Sequence, residues 1–226
     1  MTYGDELADD PKTLKCLDNS YRLKHSWPNQ LKELISLDEF FNHGKGGGSN
    51  ERILRTTIGW TSKYLNDKKD PSDLFVVIGW SAPARYEIRF KDEWVDIHPQ
   101  FTPRNTSLRA ITRFYGRNIA DEEVDIIKTF VYILSLQSWL ESNKIPYLFF
   151  DALPIRHNQF SALDEYKKQI NKKRYFNFGD DSYNMHVAIS QEGHLLGPGR
   201  HPLEEGHAFW AKTLSKFVID HNLTVF

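Results

Sequence analysis

Apolar positions recur at helical spacing in several segments and in short unbroken runs in two others. Trp27 to Ser36 reads as a helix, with Ser26 as its N-cap, Pro28 in its first turn and Leu31, Leu34 and Ile35 on its apolar face. Glu39 to Asn42 is compatible with a short strand, and Gly44 to Gly48 is a glycine-rich loop opening a helix from about Asn50 to Tyr64. Leu74 to Ile78 is a continuous apolar run, the pattern of a strand buried on both faces of a parallel sheet. Arg85 to Phe90 and Glu93 to Ile97 read as a hairpin turning at Lys91-Asp92, followed by a polar, Arg-bearing connection from Pro99 to Asn118. The longest helix spans about Asp121 to Ser142, and Ile145 to Phe150 is the next buried strand, ending at Asp151. Helices near Ser161 to Ile170, Ser182 to Ser190 and Leu203 to His221 complete the order. Strands interleaved with helices predict an α/β fold: a three-layer α/β/α sandwich with a mainly parallel sheet and a β-hairpin excursion. Functional sites are then expected beyond the strand C-termini.

Composition narrows the function classes. A chain of 226 residues with 40% hydrophobic content suits one domain, residues 1–226. Lys and Arg number 29 against 30 Asp and Glu, a net charge of −1, so no global field favours nucleic acid or an anionic membrane. The single cysteine, Cys16, excludes an internal disulfide and a multi-cysteine metal site. No HExxH, Cys-x-x-Cys or acidic Ca²⁺ loop is present, so no metal is expected. The first residues carry no signal-peptide pattern and the most apolar stretch, Ile126 to Leu134, is short and contains Lys128. Arg109, Arg113 and Arg117 at i, i+4, i+8 read as a solvated basic stripe, and Lys172-Lys173-Arg174 is too short a cluster to indicate RNA or DNA binding.

Four segments stand at strand C-termini or helix starts. They are Met1-Thr2-Tyr3-Gly4, Asn42-His43-Gly44-Lys45-Gly46-Gly47-Gly48-Ser49, Val76-Val77-Ile78-Gly79-Trp80-Ser81-Ala82 and His201-Pro202-Leu203-Glu204-Glu205-Gly206-His207. In order and spacing they resemble the four blocks of the SGNH (GDSL-type) ester hydrolase superfamily, with a weaker likeness to SGNH-type proteins of tailed phages of marine bacteria. The resemblance implies a flavodoxin-like sandwich and Ser–His chemistry, which needs no cofactor. His201 would be the general base, the Gly47 N–H and Ser81 hydroxyl the oxyanion donors, and Trp80 and Arg85 substrate-binding residues.

The sequence departs from the family pattern at three points. On this register the nucleophilic serine would immediately precede Met1, so the first strand is also missing; aligning Gly4-Asp5-Glu6-Leu7 with the family's GDSL letters would put Glu6 at the nucleophile, and that register is rejected. Ser81 and Ala82 replace the usual Asn-Asp. Pro198 stands where the carboxylate that orients the histidine belongs, leaving Asp151, Glu204, Glu205 or a backbone carbonyl as candidates for that part.

The resemblance therefore implies an acylhydrolase for a small ester or acylated glycan if roughly ten upstream residues supply strand and serine. If the chain begins at Met1, it implies an inactive SGNH-like glycan-binding or virion structural protein. Location in the host cytoplasm or on the virion is the corresponding expectation.

Overall fold

The computed structural model describes residues 4–10, 16–99, 103 and 105–224. Its centre is a parallel strand pair in which β1 (Val76–Trp80) runs alongside β4 (Tyr147–Asp151), with Val76 opposite Tyr147 and Trp80 opposite Asp151. Every residue of β4 is buried, as its unbroken apolar run requires of a strand covered on both faces. On the far edge of β4, Tyr175 forms a parallel bridge with Phe149, and the Phe176 N–H donates to the Phe149 carbonyl at 2.8 Å.

Strand alternation divides the interior in two. Val77, Leu148 and Phe150 join Trp27, Leu31, Ala188, Trp210 and Leu214. Val76, Ile78, Tyr147 and Phe149 join Ile126, Phe130, Ile133 and Leu136. Helices therefore cover both faces of the sheet. On the first face lie α2 (Trp27–Leu34), α7 (Met185–Gln191) and α8 (Glu204–Asp220), and on the second α3 (Asn50–Asn66) and α5 (Glu122–Ser142). The chain is an α/β protein with a small parallel sheet.

Local chemistry sets the helix ends. Ser49 caps α3 by accepting from the Arg52 N–H, and Asp121 caps α5 by accepting from Val124, ahead of an acidic first turn. The hairpin forms at the expected place, with β2 (Tyr86–Phe90) and β3 (Glu93–Ile97) antiparallel and Lys91 and Asp92 both at positive φ in the turn.

The structure corrects three readings of the pattern and adds one element. The connection after the hairpin contains a helix, α4 (Thr106–Asn118), started by Asn105, whose side chain accepts from the Ser107 and Leu108 N–H groups. Another short helix, α1 (Asn19–His25), is capped in the same way by Asp18. Near residue 161 only a 3₁₀ turn and the one-turn helix α6 (Asp164–Lys167) form. Residues 39–42 form no strand and instead line a cavity whose other wall includes β1.

Candidate functional site

The C-terminal end of β1 leads directly into Ser81, which Asn50 at the start of α3 clamps from both sides. The Ser81 N–H donates to Asn50 Oδ1 at 2.7 Å, and Asn50 Nδ2 donates to the Ser81 carbonyl at 2.9 Å. Arg85 Nη1 donates to Ser81 Oγ at 2.9 Å, so the hydroxyl accepts from the guanidinium and keeps its own proton to donate elsewhere. Burial pulls Arg85 below the ordinary arginine value, against the opposing pull of Asp96 and Asp5. Its Nε is buried without a hydrogen-bond partner.

The glycine-rich loop is anchored by the hairpin. Asp96 of β3 accepts from the Ser49 N–H at 3.0 Å and from Lys45 Nζ at 2.8 Å. Gly47 has φ +73°, and a Cβ built there meets nothing within 4 Å, so the requirement for glycine is conformational and its surroundings are open. Gly46 instead lies against Asp5, whose Oδ1 would be 2.8 Å from a Cβ at that position.

His201 sits at the end of a turn closed by two 2.8 Å bonds, Gly197 N–H to the His201 carbonyl and Arg200 N–H to the Gly197 carbonyl. The Glu6 carboxylate holds this turn, accepting from the Gly199 N–H at 2.6 Å and from the His201 N–H at 3.0 Å. Burial pushes the half-buried His201 ring below the ordinary histidine value, and nearby Arg85 acts in the same sense while Asp5 and Glu6 oppose it. Asp5 is thus the common neighbour. It touches the glycine loop, and its charge is felt by both Arg85 and His201.

Of the residues singled out in the sequence, His201, Ser81, Arg85 and the Gly46-Gly47 turn are gathered around Asp5 and Glu6. Trp80 is not among them as a contact surface: its side chain is 0% exposed and packs edge-on against Phe149, so it belongs to the core. Met1-Thr2-Tyr3, which carried the first block, lie outside the described residues.

The carboxylates considered as partners of His201 are committed elsewhere. Asp151 is buried between His157 Nε2 at 2.5 Å and the Tyr175 hydroxyl at 2.6 Å. Glu204 accepts from the Tyr21 hydroxyl, and Glu205 lies beside His194. The carboxylates whose charge acts on the His201 ring are Asp5 and Glu6, and the sequence signal for them was the Gly4-Asp5-Glu6-Leu7 tetrapeptide itself.

His207 is fully buried and structural, its Nδ1 accepting the Trp27 N–H at 3.2 Å at the start of α2. Among the described residues no group of three His, Cys, Asp or Glu side chains is arranged to hold a metal ion. None of the helices among them is long and apolar enough to cross a membrane.

No curated protein and no solved structure matches the chain. A family of unknown function (DUF6071) matches residues 5–225, and the chain belongs to that family.

Proposed function

We propose that this chain forms the body of an SGNH-type ester hydrolase, a three-layer α/β/α sandwich acting on a small ester or an acylated glycan through a Ser–His mechanism. The observation that supports the reading most is the meeting of separate sequence blocks at one sheet end: the glycine turn, Ser81 with Arg85, and His201 share Asp5 as a neighbour. The resembling family uses the corresponding groups for acyl transfer. Helices on both faces of the β1–β4 pair are consistent with the sandwich.

In this mechanism a serine supplied by polypeptide upstream of Met1 attacks the acyl carbonyl carbon as His201 takes its proton. The carbonyl oxygen becomes an oxyanion, met by the Gly47 N–H and the Ser81 hydroxyl, with the buried Arg85 charge behind Ser81. His201 returns the proton to the departing alcohol. Water, activated by the same imidazole, then releases the acid and regenerates the serine. A ring that burial holds below the ordinary histidine value is neutral and able to accept a proton at pH 7.

The test is hydrolysis of p-nitrophenyl acetate by a version extended upstream in frame, compared with the present chain and with the extended His201→Ala variant. The extended protein is expected to exceed both by about 10²-fold or more, the typical contribution of a positioned base. Equal rates in all three would remove the hydrolase reading.

A further inference from the structure

We propose that Asp96 is a positioning residue for the candidate oxyanion site: from the β2–β3 hairpin its carboxylate staples the glycine turn at residues 46–48 and so fixes the direction of the Gly47 N–H. The catalytic meaning of that N–H rests on the hydrolase reading. The staple itself does not.

The two oxygens of Asp96 take partners on either side of the three glycines. Oδ1 accepts from the Ser49 N–H at 3.0 Å, immediately after Gly48, and Oδ2 accepts from Lys45 Nζ at 2.8 Å, immediately before Gly46. The Asp96 side chain is 10% exposed, so water does little to weaken its charge-assisted bond to the backbone. The turn's own bonds are local: the Gly48 N–H donates to the Lys45 carbonyl at 3.0 Å, and the Gly44 N–H to Asn42 Oδ1 at 2.9 Å. Gly46 has Asp5 as a wall, but a Cβ built at Gly47 meets no atom within 4 Å. Three successive glycines are conformationally free, and packing does not restrain the middle one. Gly47, at φ +73°, is therefore held through its flanks, and Asp96 binds both.

The same hairpin holds the second donor. Arg85, immediately before β2, donates to Ser81 Oγ at 2.9 Å. Alternation puts Arg85 and Glu87 on one face, and Asp96 joins that face because it stands opposite Glu87 in the register. Glu87 ties the face to α3 by accepting two 2.8 Å bonds from Arg55. Gly47 and Ser81 belong to different loops, and the hairpin bonds to both. Its rigidity sets the spacing between the Gly47 N–H and the Ser81 hydroxyl, and loss of Asp96 would release one of the two. A carboxylate beside the start of α3 also stabilises that helix, so a fall in stability alone does not separate positioning from capping.

The test pairs Asp96→Ala with Asp121→Ala, which removes the N-cap of α5, a residue with no bond to the turn, at a comparable expected cost in stability. In the chain as it stands, backbone amide relaxation measured by NMR should give Gly47 an order parameter near about 0.85 in the parent and in Asp121→Ala, and below about 0.6 in Asp96→Ala. Asp96→Asn keeps an oxygen for the Ser49 N–H and should stay near the parent. In the protein extended upstream, Asp96→Ala should lower kcat for p-nitrophenyl acetate by about 10- to 100-fold with KM within about twofold, because a misplaced donor fails the transition state rather than the substrate. Asp121→Ala should leave kcat within about twofold. Should Asp96→Ala not fold, Lys45→Met, which cuts the more exposed arm of the staple, is expected to move both readouts in the same direction by a smaller amount. An unchanged Gly47 order parameter in the variant that folds, or equal losses of kcat in Asp96→Ala and Asp121→Ala, would overturn the proposal. A loosened Gly47 in an extended protein that hydrolyses no ester would leave the staple standing and count against the hydrolase reading alone.

Discussion

The carboxylate of Glu6 accepts the backbone N–H of His201 at 3.0 Å, joining the start of the described chain to a turn 195 residues later. Its second oxygen takes the Gly199 N–H. One acidic side chain therefore holds the turn that presents the imidazole. The bonds are charge-assisted, which makes them stronger than hydrogen bonds between neutral groups.

Replacing Glu6 by Ala is expected to destabilise the protein by about 1–3 kcal/mol in urea unfolding, the range for hydrogen bonds to a charged group. Glu6→Gln, which keeps one acceptor oxygen, should lose less. The His201 amide should exchange faster in Glu6→Ala. Identical urea midpoints for Glu6→Ala and the parent would show that the turn is held by other contacts.

Glu87 on β2 is 3% exposed and receives both Arg55 Nε and Nη2 at 2.8 Å, while Arg55 stacks over Trp94. Arg55→Ala leaves a carboxylate buried and unpaired. Because the arginine is partly in solvent, the expected loss is about 2–3 kcal/mol, below the full range for a buried pair. Adding Glu87→Gln should restore part of it. If the double variant is as unstable as the two single losses added, the pair is not coupled.

His207 carries a pH dependence. Burial, with His201 nearby adding to it, pushes its ring down to about 3 from the ordinary 6.5. Above pH 6.5 the ring is neutral whether the chain is folded or not. Between 6.5 and about 3 the unfolded chain binds a proton that the folded chain refuses, so stability falls as pH falls across that window. The loss should reach about 2 kcal/mol at pH 5. In His207→Gln, which keeps an acceptor for the Trp27 N–H, this part of the slope should vanish. An unchanged slope between pH 6.5 and 4 would assign it to other groups.

Asp151 bridges His157 and Tyr175 inside the second core. Tyr175→Phe removes one of these bonds and leaves a carboxylate oxygen without its donor, an expected loss of about 1–3 kcal/mol in thermal or urea unfolding. In an extended, active protein the same change should leave kcat for p-nitrophenyl acetate within about twofold at temperatures where both forms are folded. A selective fall in kcat with unchanged stability would instead connect Asp151 to the site.

The sequence by itself determined those elements whose signal is local. The apolar runs around Ile78 and Phe149 are strands because only burial on both faces accommodates them, and Ser49 and Asp121 start helices because their side chains satisfy free N–H groups within three residues. The turn at Lys91-Asp92 and the glycine loop before α3 were legible for the same reason. The tertiary structure alone decided what depends on residues far apart in the chain. Trp80 has the composition of a binding residue and a place in the core, and Asp151, next to a strand end, is consumed by His157 and Tyr175. Asp5 and Glu6 look like ordinary surface acids until His201, Gly46 and Gly199 are brought to them. Residues 39–42 carry the extended pattern of a strand, yet a ladder needs a partner at hydrogen-bonding distance, and beside them the fold holds a cavity.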